Sequence, residues 1–229
     1  MVKASSVLKK LEQNSVFGAG EYVLEGEMRT AALKLAEVTQ AENLAVAEGL
    51  RRHDPELLDE LIVRYQHRLL RYLLYLTGNR EQAEDMFQET WMRVLQRGSQ
   101  YSGAARFDTW LFTIARNLVI DLRRKRQMAS LEDLSECGGM DLALDTVSTE
   151  KSPFEQLQTT ENRQVVAQAL LELDPLHREA IVLRFHEEMT LEEVSQVTMT
   201  PLSTVKSRLY RGLAAMRLRV AALEDGNGQ

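Results

Sequence analysis

Cysteine is almost absent from this chain. Cys137 stands alone among 229 residues, which excludes an internal disulfide framework and fits a reducing, cytoplasmic setting. His53, His67, His177 and His186 are scattered, so with one thiol they form no metal-ligand cluster, and neither a metal nor another cofactor is expected. No apolar run approaches the roughly 20 residues that span a bilayer. The N-terminus MVKASSVLKKLEQNS has early lysines but no continuous apolar segment after them, so it does not read as a signal peptide. There is no Gly-rich phosphate loop, no carboxylate cluster placed for a metal and no nucleophile with an evident base. Catalysis and a small-molecule substrate are therefore not expected.

What is present is ordinary in amount and uneven in placement. Hydrophobic residues make up 44% and charged residues 27%, with net charge −6, as in a globular chain of one or two domains. A uniform negative charge would argue against nucleic acid. Residues 1–60 carry a net −4, but residues 61–128 carry +6, residues 129–162 carry −7, and residues 163–229 carry −1. A basic block followed by an acidic one points to nucleic-acid contact on one module.

Taken in order, the period is helical. Residues 1–26 have three glycines and no sustained period, so weak order is expected there; residues 27–50 are rich in Ala, Leu and Glu and read as helix. Asp54-Pro55 reads as N-cap and first helical position. The helix that follows carries Leu57, Leu61, Tyr65, Leu69, Leu73 and Leu76 on one stripe and ends near Gly78. Asn79 with Gln82 resembles a capping box for a helix over 80–97. Ala83, Phe87, Trp91 and Val94 or Leu95 form its buried face, with Asp85, Gln88, Glu89, Met92 and Gln96 opposite. A solvated face is the commoner meaning of such a stripe, although a methionine within it is frequent on protein-binding surfaces.

The most informative stretch is YSGAARFDTWLFTIARNLVIDLRRKRQ, residues 101–127. A small-residue loop, expected to be flexible, leads into aromatics and then a basic run, with Asp108 as the expected N-cap. Leu111, Ile114, Ala115, Leu118 and Leu122 supply an apolar face. Cations near aromatic rings suit single-stranded nucleic acid, whose bases stack on rings for about 1–3 kcal/mol each. Aromatics at helical spacing are also common core residues. Alone, the pattern favours the core for Phe112 and leaves Trp110 open.

Beyond residue 127 the composition turns acidic and turn-rich, reading as an extended, flexible linker. Helical period returns from Glu161. Asp174-Pro175 repeats the capped start, and Thr190 with Glu193 forms a T-x-x-E capping box. Thr200-Pro201 opens a last helix with Val205, Leu209, Leu213 and Met216 inward. Residues 201–219 hold Lys206, Arg208, Arg211, Arg217 and Arg219 and no acid. Two helices joined by a short turn, the second cationic, make a helix-turn-helix. Ser203, Thr204, Lys206, Ser207 and Arg208, flanked by Thr200 and Arg211, are the candidates for base edges and phosphates.

Four segments together resemble one family: NREQAEDMFQETWMRVLQ, FDTWLFTIARNLVIDLRRKR, LLELDPLHREAIVLRF and STVKSRLYRGL. In order and spacing they resemble bacterial RNA polymerase sigma factors of the extracytoplasmic-function (ECF) group, over about residues 54–220. The resemblance implies an all-α fold of two small helical domains. Residues 1–53 are an N-terminal extension, 54–127 a region 2-like domain, 128–160 an acidic linker, 161–222 a region 4-like domain and 223–229 a tail.

The resemblance also implies roles. Asp85, Gln88, Glu89 and Met92 match the contact with the clamp helices of the largest polymerase subunit. Tyr101, Ser102, Arg106, Phe107, Trp110, Arg116, Asn117, Arg123, Arg124 and Lys125 fall where the family captures an extruded base of the minus-ten element. The last helix matches the reader of the minus-thirty-five element. The acidic linker matches the segment that occupies the polymerase's nucleic-acid channel. Implied partners are core RNA polymerase, through its clamp helices and flap, promoter DNA and an anti-sigma factor. The alternative is a helix-turn-helix repressor or activator on duplex DNA, which leaves the aromatic-basic stretch and the linker unexplained. Two departures stand out. Met199 occupies the turn position where the family usually has glycine, and the extension before Asp54 is long. It is expected either to restrain the basic module or bind a regulator, or to be a loosely attached tail.

Overall fold

The computed structural model describes residues 25–129 and 165–226. The first stretch holds α1 (Glu25–Arg52), α2 (Pro55–Thr77), α3 (Arg80–Arg97), a 3-10 turn (Gly98–Gln100) and α4 (Phe107–Ala129). The second holds α5 (residues 165–171), α6 (Pro175–Ile181), a π turn (Val182–His186), α7 (Leu191–Thr198) and α8 (Leu202–Gly226). No strand occurs among the described residues. The expectations for the first 24 residues and for most of the acidic linker lie outside them.

The helix boundaries follow from local chemistry. Asp54 accepts from the amides of Glu56 and Leu57, with Pro55 at the first helical position. Asn79 accepts from Gln82 N at 3.0 Å. Thr190 and Glu193 complete the reciprocal box, at 3.2 Å and 2.7 Å. Each such cap contributes about 1 kcal/mol. Asp108 is not a cap. The helix opens at Phe107 and its first bond runs from Trp110 N to Arg106 O, so it starts two residues earlier than expected. At the other end, α8 continues as helix to Gly226, past the expected boundary at 222.

In the first group α2, α3 and α4 pack on one another around Leu61, Leu69, Tyr72, Leu73, Val94, Leu111 and Phe112, all at most 1% exposed. Each buried leucine contributes about 1.5–3 kcal/mol. Tyr72 and Phe112 meet edge-on at 4.9 Å, tying α2 to α4. In the second group α8 lies across α6 and α7. The crossing is close at Gly212, where a Cβ would sit 2.8 Å from Ile181 Cδ1. The two groups also pack together, α4 against α7 and α2 against both α6 and the π turn. This contact was not legible in the sequence.

Candidate nucleic-acid interface

The loop from Tyr101 to Arg106 is held between buried anchors. Tyr101 and Phe107 are each 3% exposed and stack in one cluster with Trp110 and Tyr65, at centroid distances of 5.1–5.9 Å. Trp110 keeps part of its surface open. Tyr101 and Phe107 therefore build the floor rather than a bare stacking platform. Burial also pushes the Tyr101 phenol above its ordinary pKa, and its hydroxyl donates to Ala105 O at 2.7 Å. Ser102 Oγ accepts from Ala104 N. The loop is thus braced internally, contrary to the expectation of flexibility, and presents Ser102 and Arg106 to solvent.

Along α4 the cations face different surroundings. Arg106 pairs with Asp108 at 2.7 Å and approaches Glu193 of α7 at 3.6 Å. Arg116 Nε donates to Glu179 Oε1 at 2.7 Å, and Tyr72 OH donates to the same oxygen at 3.1 Å. Asn117, Arg124 and Lys125 are exposed, and Arg123 donates to Leu76 O. Beside them Glu187, 3% exposed, accepts from Arg68 Nε at 2.8 Å and Arg71 Nη2 at 2.9 Å. Arg178 reaches back to Tyr75 O at 2.9 Å. Burial works against the Arg68 cation, but its hydrogen bond to Glu187 and that carboxylate's charge hold its pKa above the ordinary value. Burial, helped by the charge of Arg71, lowers His186 to about 4.

On α3, Asp85, Gln88 and Met92 are exposed, while Glu89 is half-buried and pairs with Arg93 at 2.8 Å. Ala83, Trp91 and Val94 are buried on the opposite side. Leu95, expected as an alternative core residue, is 41% exposed and extends the Met92 side.

The helix-turn-helix turns at Met199, which adopts the left-handed region with φ 50° and ψ 40° and is 72% exposed. The turn is closed by Ser195 Oγ donating to Thr200 O at 2.6 Å and by a 2.8 Å bond between the Thr198 and Thr200 hydroxyls. Ser203, Lys206 and Arg211 are exposed, whereas Thr204, Ser207 and Arg208 are half-buried. Arg208 lies on the flank, with one terminal nitrogen enclosed and without a hydrogen-bond partner. Tyr210, 72% exposed, shares the Ser203 face and was missed. Its spacing of seven residues from Ser203 carried that signal.

Comparison with known proteins decides what these surfaces belong to. Residues 61–128 match sigma-70 region 2, and residues 169–218 match sigma-70, region 4. The ECF RNA polymerase sigma factor SigL of Mycobacterium tuberculosis is 30% identical over 181 residues, which cover 79% of this chain and 98% of that protein. The chain belongs to the ECF RNA polymerase sigma factor family. It is a promoter-specificity subunit that directs transcription initiation. The ECF sigma factor SigW of Bacillus subtilis is 27% identical over 176 residues, covering 76% of this chain and 94% of that one. Among solved structures, the sigma factor RpoE from Bartonella quintana, in complex with the anti-sigma factor NepR, matches at TM-score 0.59. Its identity is 21%, and the match covers 71% of this chain and 96% of that one. CnrH, in complex with the cytosolic domain of CnrY, matches at TM-score 0.54 with 21% identity, covering 81% and 99%. At that identity the two structures speak for the fold.

Proposed function

We propose a division of labour among three surfaces of this sigma factor. The exposed side of α3, with Asp85, Gln88, Glu89 and Met92, docks on the clamp helices of core polymerase. The loop 101–106 and the α4 cations receive the unpaired strand of the minus-ten element. The Ser203–Arg211 face of α8 reads the minus-thirty-five duplex in the major groove, while polymerase supplies the catalysis in the cell interior. The observation that carries this reading is the pairing of an open cationic helix-turn-helix with a separate, braced loop that exposes Ser102 and Arg106 and whose anchors Tyr101 and Phe107 pack on a half-buried tryptophan.

In the arrangement described, Arg116 and Arg106 are engaged by Glu179, Asp108 and Glu193. Strand binding at α4 therefore requires α4 to part from α6 and α7, exchanging carboxylates for phosphates. A regulator that holds the two groups together would keep the chain inactive. An anti-sigma factor fits that role, since the RpoE and CnrH structures are of complexes with other proteins.

Run-off transcription with sigma-free core polymerase on genomic fragments tests the reading. New discrete start sites sharing two upstream motifs are expected. Changing Asp85 and Glu89 to Lys should abolish binding to core while preserving the helical circular dichroism; retained binding would remove α3 from the assignment. Retention of duplex fragments without any binding to core would favour the repressor or activator alternative.

A further inference from the structure

The stretch before Asp54 is, in sequence, only an extension, yet residues 37–52 are docked. Leu50 is 6% exposed and Ala47 fully buried. The contact is made where the loop 101–106 most needs support. Gln40 Nε2 donates to Gly103 O at 3.1 Å. Gly103 has φ +76°, and a Cβ there would stand 3.0 Å from Asn43 O and 3.2 Å from Leu44 Cα. Just upstream, the start of the 3-10 turn is equally close, because a Cβ on Gly98 would lie 3.1 Å from Leu50 Cβ. The middle of the loop thus touches helix backbone, which cannot move aside as a flexible side chain could.

We infer that α1 is the positioning element of the minus-ten loop: Gln40 and the backbone at Asn43–Leu44 fix Gly103, and through it the presentation of Ser102 and Arg106 to an unpaired promoter base. Tyr101 and Phe107 anchor the two ends of the loop, and α1 anchors its midpoint. A loop ordered before the strand arrives does not lose its conformational freedom on binding, which is how preorganisation raises affinity. Gln40 touches no base in this scheme. It acts through the Gly103 carbonyl and is a positioning residue. The inference rests on the proposed role of the loop in strand binding and adds the device that shapes it.

The test uses holoenzyme reconstituted with full-length chain and a fluorescent fork-junction DNA. The fork carries the minus-ten motif found by run-off transcription, with each of the four bases in turn at the unpaired position. Gln40→Ala should weaken fork binding three- to ten-fold and flatten the base preference. Affinity for core and for a duplex carrying only the upstream motif should be unchanged. Because alanine favours helix more than glutamine, such a loss does not come from unravelling α1. Gly103→Ala should cost more than ten-fold, as it combines an unfavourable φ with a collision against backbone. If both variants bind every fork as the parent does, while Arg106→Ala loses binding, α1 does not position the loop. If Arg106→Ala is also without effect, the loop is not the strand site and the inference falls with that reading.

Discussion

The two cationic helices of this sigma factor meet opposite circumstances. On α8, Lys206 and Arg211 point to solvent from a stretch of sequence without a single acid. On α4 and the neighbouring α2, arginines face carboxylates contributed by the other group, with Glu179 and Glu187 only 5% and 3% exposed. Similar charge in sequence therefore has two meanings. Under the proposed division of labour the α8 face would accept duplex as it stands, since phosphates need only displace counterions. Under the same proposal the α4 face would accept a strand only by exchange at Arg116, which already holds Glu179 in a largely buried contact where screening is weak.

The sharpest way to break this contrast is Glu187→Lys, which sets a third cation against Arg68 and Arg71. Removing one partner of a buried pair costs about 3–5 kcal/mol, so the two groups should separate and the radius of gyration from small-angle scattering should rise. An unchanged radius would mean that the ion pairs do not hold the groups together. Glu179→Gln, a milder change, leaves Arg116 without its anion. Fork binding by the variant's holoenzyme should become faster and tighter, because a larger fraction of the chain is already open. An unchanged association rate would show that the contact does not gate the strand.

The open face gives smaller and cleaner effects. Lys206→Ala should lower the slope of log affinity against log salt for duplex binding by about one, if the side chain meets a phosphate. The same substitution should leave the contact between the groups untouched. The closed face should also respond to acid. His186 is lowered to about 4 in the fold against roughly 6.5 unfolded. The unfolded chain therefore binds more protons between those values, and stability should fall as pH drops from 6.5 towards 4. Replacing His186 with Phe should flatten that part of the pH profile in thermal melts. The smallest effect is expected at the turn. A non-glycine residue in the left-handed region costs about 1–2 kcal/mol, and glycine returns part of that through unfolded-state entropy. Met199→Gly should thus raise stability by about 0.5–1 kcal/mol, seen in the denaturant midpoint.

Much of the fold was legible because its signals are local. The caps at Asp54, Thr190 and Asp174 depend on residues two or three positions away, and the buried stripe Ala83–Trp91–Val94 depends on helical period alone. The candidate site was legible in its residue types and less so in their exposure. Tyr101 and Phe107 were candidates for strand contact and are 3% exposed, since aromatic spacing does not say which neighbour covers the ring. Asp108 resembled a cap, but its carboxylate is bound up with Arg106 and Arg68, and the helix begins before it. Tyr210 could have been found by extending the Ser203 face by two turns.

By itself the sequence determined the helices, their order, the capped turn at Met199 and the two families of surface charge, because each follows from periodicity and short-range hydrogen bonding. Tertiary structure alone decided that Gln40 of the extension braces Gly103, and that Glu179 and Glu187 occupy the arginines of the first group. Those partners lie between 63 and 119 residues apart in the chain. A carboxylate on a helix reads as solvated face until packing removes its water and brings a cation to it.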